Sequence, residues 1–135
     1  QWPMPSAVDY FLDLNAPFLA QDFGNAPVLS FSHFLPRQDL IFSTLVERLP
    51  VRLHARDPHP KFNFSRVAGT SRLEEQIRTL GSHVHVYGHQ HRNRTRDIDG
   101  VTYVSHCLGY RRERAWGIAC ALDEGPRCIW PLSNL

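Results

Sequence analysis

The sequence predicts an α/β protein with a mixed sheet and flanking helices, and three observations carry that expectation. Two short apolar runs, Val28-Leu29-Ser30-Phe31-Ser32 and Val84-His85-Val86-Tyr87, have the length and bounding turn residues of buried strands. Segments with helical spacing alternate with them. An Asp99-Gly100 pair then separates two further strand-like runs and supplies a hairpin turn, because both central positions tolerate positive φ.

The elements follow in order. Ser6-Ala7-Val8-Asp9 has the form of a helix start, with Val8, Phe11 and Leu12 on one face, and Pro17 should end or kink that helix. After Gly24-Asn25-Ala26-Pro27 comes the first strand. Pro36 opens an expected helix over residues 37–48, with Leu40, Ile41 and Leu45 as its apolar side. Residues 50–70 lack periodicity and read as a long surface loop. Order returns at Ser71-Arg72-Leu73-Glu74, whose serine and glutamate have the spacing of a capping box. Leu73, Ile77 and Leu80 continue that helix, and Gly81 stops it. The second strand runs to Tyr87, the hairpin pairs 94–98 with 101–107, and two further strands are expected around 116–122 and 127–132.

Composition narrows the classes. A chain of 135 residues with 42% hydrophobic residues suits one domain with a core. The charge balance, 15 − 13 = +2, is too mild to imply a nucleic-acid partner. No run approaches the roughly 18 apolar residues of a membrane span, and no signal-peptide pattern opens the chain. Cys107, Cys120 and Cys128 lack close pairing, which argues against a disulfide framework or zinc knuckle and favours a reducing, intracellular compartment.

The chemistry concentrates in Gly88-His89-Gln90-His91, directly behind the second strand. Glycine permits a tight turn there, and the i, i+2 spacing can aim both imidazoles into one cleft. Neutral imidazole is the commonest protein metal ligand. Ser32-His33-Phe34-Leu35-Pro36 likewise leaves the carboxyl end of the first strand. In open α/β sheets, ligands gather outside the carboxyl ends of strands. If both strands run parallel in one sheet, His33, His89 and His91 converge on one mouth.

These segments resemble a known family. Residues 28–37 (VLSFSHFLPR) and 84–91 (VHVYGHQH) resemble the last two metal motifs of calcineurin-like metallophosphoesterases. Residues 101–114 (VTYVSHCLGYRRER) are similar to the segment that follows them in one bacterial and plant branch of that family. The resemblance covers residues 28 to 114. It implies half of a four-layer α-β-β-α sandwich, with residues 1–135 forming the carboxyl-terminal half of a single domain. It also implies a dinuclear site of two divalent or trivalent ions (manganese, iron or zinc), in which His33 and His89 bind one ion and His91 the other.

The family's Asp-x-His, Gly-Asp-x-x-Asp and Gly-Asn-His motifs should precede residue 28, and they do not. There is no Gly-Asp pair in the chain, and Gly24-Asn25 is followed by Ala26. Two adjacent dications need anionic ligands, because neutral imidazoles do not reduce their repulsion. The expected partner is therefore a missing amino-terminal half, in the same or a separate polypeptide, and the expected substrate a phosphoester.

Structural roles compete with these. His83 and His85 alternate with Val84 and Val86 and read as packed or hydrogen-bonded histidines, and His106 as structural. His54 and His59 lie in the loop and read as solvated. Arg92, Arg94 and Arg96 share one strand face, and Arg111, Arg112 and Arg114 follow Gly109-Tyr110. Either group could hold phosphate in bidentate fashion, but solvated or salt-bridged surface is the simpler role. Two other functions stand beside phosphoester hydrolysis: a degenerate, non-catalytic relative acting as an assembly subunit, and a nucleic-acid module built on the arginine-rich hairpin.

Overall fold

A computed structural model describes residues 6–42, 64–119, 122 and 125–131. Helix α1 runs over Ala7–Leu19. Ser6 caps it, its Oγ accepting the Asp9 backbone N–H at 3.1 Å and satisfying a free donor of the first turn. Pro17 does not end the helix, which continues to Leu19. Its missing N–H falls in the last turn, where only one intrahelical bond is lost. Of the face expected to be apolar and inward, only Leu12 is buried; Val8 and Phe11 are exposed. The reason is that α1 meets helix α2 (Ser71–Thr79) largely through polar groups. Gln76 Nε2 donates to the Leu12 carbonyl at 2.9 Å, Asn15 Nδ2 donates to Gln76 Oε1 at 2.8 Å, and Arg72 pairs with Asp9.

Strands β1 (Leu29–Ser32), β2 (Val84–Tyr87), β3 (Arg94–Ile98) and β4 (Val101–Ser105) form one mixed sheet in the order β1-β2-β4-β3. β1 is parallel to β2, β2 is parallel to β4, and β3 is antiparallel to β4. The register sets Leu29 opposite Val84 and Ser32 opposite Tyr87. The expectation of a buried first strand fails. Among the described residues β1 is an edge strand, and Phe31 is 86% exposed, whereas Val84 and His85 in central β2 are buried. The hairpin turn forms as its residues require, with φ of 49° at Asp99 and 81° at Gly100.

Pro36 is followed by a short 3-10 turn at Gln38–Leu40, which buries Leu40 and Ile41. The rest of the helix expected there, with Leu45, lies outside the described residues, as do His54 and His59 in the 50–70 stretch. A second 3-10 turn spans Phe64–Arg66, and Leu35 then bridges Gly69. A Cβ on Gly69 would lie 1.9 Å from the Leu35 carbonyl oxygen, so only glycine fits that crossing. Of the two strands expected after residue 116, none forms among the described residues. Ahead of them a short helix α3 (Arg111–Ala115), with no counterpart in the expected elements, follows β4. No described helix is long and apolar enough to cross a membrane.

One face of the sheet carries the core: Leu35, Leu40, Ile41, Ala68, Ile77, Tyr87, Val101 and Tyr103, with Phe64, Leu73 and Ile98 packed against it. The expected capping box on α2 does not form, because the cap lies one residue earlier and puts Leu73 at the third helical position. Thr70 is the cap, accepting from Arg72 N at 3.3 Å. Glu74 is thereby free to turn inward, where it accepts from Tyr103 Oη at 2.6 Å, Arg78 Nε at 2.8 Å and Arg37 Nη1 at 3.0 Å. Burial would raise the Glu74 pKa, but these donors outweigh it and hold the carboxyl below its usual range. Burial and the Glu74 charge together push the Tyr103 phenol up. Tyr103→Phe should lower unfolding free energy by about 1.5–3 kcal/mol, the range for a hydrogen bond to a charged group. Urea denaturation checks this, and an unchanged midpoint would show that the hydroxyl adds nothing.

Candidate metal-ligating site

Both histidine motifs leave the carboxyl ends of β1 and β2, which are neighbours and parallel. The pairing extends one step past the strands, because Gly88 N donates to the His33 carbonyl at 3.1 Å. Gln90 Nε2 donates to the Ile41 carbonyl at 2.8 Å and ties the turn to the 3-10 segment. The positive φ of this turn belongs to His89, at 64°, and Gly88 is not in that region. A non-glycine residue held there costs about 1–2 kcal/mol, which the surrounding contacts must offset. Gly88 serves through its small size, as its missing Cβ would sit 3.4 Å from the His33 carbonyl oxygen.

His33 and His89 come together. His33 Nε2 lies 3.2 Å from His89 Nδ1, with ring centroids 5.1 Å apart. Phe34 and Phe64 flank the His89 ring at 4.9 and 5.3 Å, Phe64 nearly parallel to it. Burial lowers the His89 pKa, and the His33 charge adds to that; the Val67 carbonyl, which completes no hydrogen bond with the ring, works the other way. The site therefore favours neutral imidazole, the form that ligates metal.

His91 stands apart from this pair. Its Nδ1 lies 2.9 Å from Glu113 Oε2, and its ring meets Tyr110 edge-on at 5.3 Å. Among the described residues no three histidine, cysteine or acidic side chains come close enough together to hold one ion. The donor chemistry still fits part of a metal site. Two nitrogens bound at about 2.0–2.1 Å to one ion lie roughly 2.9–3.4 Å apart, and the 3.2 Å between His33 and His89 falls in that span.

Glu113 is the site residue that sequence reasoning missed. It sits inside Arg111-Arg112-Glu113-Arg114, which reads as an arginine cluster. Its signal was the helix-start spacing from Tyr110, whose backbone N–H it accepts at 2.6 Å. Burial raises the Glu113 pKa, but the bonds from Tyr110 and His91 outweigh this and leave it lowered. Asp57-Pro58-His59 also has Asp-x-His spacing, but it follows the Ser32-His33 strand and lies outside the described residues.

The remaining candidates take structural roles. Arg94 donates to the Leu40 and Phe42 carbonyls at 3.0 and 3.1 Å, and Arg96 donates to those of Asp39 and Phe42, so both hold the 39–42 turn. Arg114 donates to the carbonyls of Leu108 and Gly109. His83 Nδ1 accepts from Val28 N at 3.3 Å, and His106 Nε2 donates to the Gly125 carbonyl at 3.0 Å. His85 is buried between Ser30 Oγ, 2.8 Å from its Nδ1, and Ser32 Oγ, 3.0 Å from its Nε2. It thus clamps β1 onto β2 just below the site.

Burial pushes the His85 pKa down to about 4, the Glu74 charge opposing it. The unfolded imidazole titrates near 6.5, at about its model value. Between these values the unfolded chain binds more protons, so stability rises with pH. The contribution should be complete above about pH 6.5 and lost toward pH 4, amounting to about 3 kcal/mol. Urea unfolding from pH 4 to 7 should show this slope in the parent chain and a shallower one in His85→Gln, where His89 and the paired carboxylates still titrate. Parallel curves would show that the native state tolerates the charged ring. At the strained turn, His89→Gly should be more stable than His89→Ala by about 1 kcal/mol in the same assay. The reverse order would mean that residue 89 bears no backbone strain.

Compared with known proteins, the chain matches no family model, no curated protein and no solved structure.

Proposed function

We propose that the chain is the carboxyl-terminal half of a calcineurin-like metal-dependent phosphoester hydrolase, with its sheet as one of two in a four-layer sandwich. The missing half, in the same or another polypeptide, supplies the carboxylates and the other sheet. The observation that carries this is the 3.2 Å approach of His33 Nε2 to His89 Nδ1 at the ends of adjacent parallel strands. The motif resemblance and the edge-strand exposure of Phe31 support it.

In such a site the bound ions (manganese, iron or zinc) supply an activated water and a clamp on the phosphoryl oxygens. The chain's own residues would act around them. His33 and His89 would present ring nitrogens at one point, and His91 would serve the neighbouring position. Phe64 stacks on the His89 ring and Phe34 packs against it at a tilt, which limits its rotation. The Gly88 and Gln90 hydrogen bonds fix the turn, so the imidazoles need little reorganisation when metal and substrate arrive.

The non-catalytic alternative draws on one observation, the absence of a three-residue donor group among the described residues. Metal content and turnover of an aryl phosphate by the complete protein separate the two. His33→Ala and His89→Ala should each lower metal stoichiometry and cut turnover on the order of 100-fold or more, since a bound ion contributes several kcal/mol to the transition state. Unchanged metal content would remove both residues from the ligand set. A complete protein that is metal-free and inactive would favour the assembly role. The 135-residue chain alone should show little turnover even with added manganese.

A further inference from the structure

The segment after β4 closes on His91 from two sides. Glu113 Oε2 lies 2.9 Å from His91 Nδ1 and also accepts the Tyr110 backbone N–H at 2.6 Å. The Tyr110 ring meets the imidazole edge-on, and the Arg112 guanidinium covers that ring at 5.9 Å from its centroid. The turn is shaped to allow this approach. Gly109 has φ of 59°, and a Cβ there would lie 3.3 Å from Glu113 Oε2 and 2.6 Å from the Ala119 Cβ. Arg114 holds the same turn from outside through the Leu108 and Gly109 carbonyls, at 2.9 and 2.7 Å.

The donor and acceptor inventory then fixes the imidazole. An ionised carboxylate only accepts, so the proton in the contact belongs to His91 Nδ1, and the neutral ring keeps its lone pair on Nε2. A metal-binding histidine almost always donates its other ring N–H to a carboxylate, carbonyl or water, which sets its tautomer and orientation. We propose that Glu113 is a positioning residue for His91, locking the tautomer that presents Nε2 to a divalent cation, with Tyr110 setting the plane of the ring. This rests on the metal-site reading of His91. It adds a carboxylate in a supporting role beside one of the three candidate ligands.

The test uses the full 135-residue chain, alone and with its completing half, and two readouts. Nitrogen-15 NMR of the histidine rings reports the tautomer without metal, and calorimetric titration with zinc or cobalt reports affinity. The parent chain should show His91 protonated at Nδ1. Glu113→Gln still accepts at Tyr110 N and His91 Nδ1, so it should keep much of the lock, whereas Glu113→Ala should lose it. Metal affinity should fall about 10–100-fold in Glu113→Ala and less in Glu113→Gln. Circular dichroism identifies any variant that has failed to fold; Glu113→Gln, which retains the cap, then decides with the parent. A parent protein that binds metal with His91 protonated at Nε2, or Glu113 variants that bind as tightly as the parent, would overturn the positioning role. A parent protein that binds no metal even when complete would instead overturn the metal-site reading, while the tautomer result would still score the Glu113–His91 contact.

Discussion

The parallel, in-register pairing of β1 with β2 is the constraint on which the rest of the site depends. Ser32 stands opposite Tyr87, so the residues that follow, His33 and Gly88, leave the sheet at the same height. A slip of one residue would move His33 by about 3.3 Å and turn it to the other face. The His33–His89 approach would then be lost. Buried polar bonding guards the register. His85 reaches Ser30 with one ring nitrogen and Ser32 with the other, and Ser30 Oγ lies 2.7 Å from Ser82 Oγ. Serine recurs at alternate positions of β1, so no register displaced by one residue can supply the same partners.

A similar logic holds the other side of the core. Glu74 brings α2, the Arg37 segment and β4 to one carboxylate. Apolar burial supplies most of the driving force in such a core, but it is non-directional. An inward carboxylate with defined donors is not, because leaving any of them unpaired costs about 1–3 kcal/mol. Arg94 and Arg96 serve in the same way by tying the 39–42 carbonyls to β3. These two arginines hold backbone in place.

The histidine turn combines local strain with several outside anchors. His89 sits at φ 64° while Gly88, Gln90 and His91 are each bonded to a different segment: the end of β1, the 3-10 turn and α3. A strained residue persists only where its surroundings over-determine it. Such anchoring suits groups that must present lone pairs to a ligand without rearrangement.

Local chemistry was enough to find much of this in the sequence. The Ser6 cap, the Asp99-Gly100 turn and the strands ending at Ser32 and Tyr87 depend on residues a few positions apart, and all four appear as expected. The position of His33 and His89 at strand ends was legible for the same reason. Their meeting was legible only on the condition that the two strands run parallel in one sheet, because that pairing is what closes a separation of 56 residues; the turn of His91 toward Glu113 was not legible at all. Nor could the sequence reveal the exposure of Phe31, the shift of the α2 cap to Thr70, or the short helix α3 between β4 and residue 116. Those outcomes turn on which layer covers which face and where a side chain finds its partner. Glu113 shows the division most plainly. The sequence places it among arginines, and only the tertiary fold, by bending the chain at Gly109, sets its carboxylate against His91.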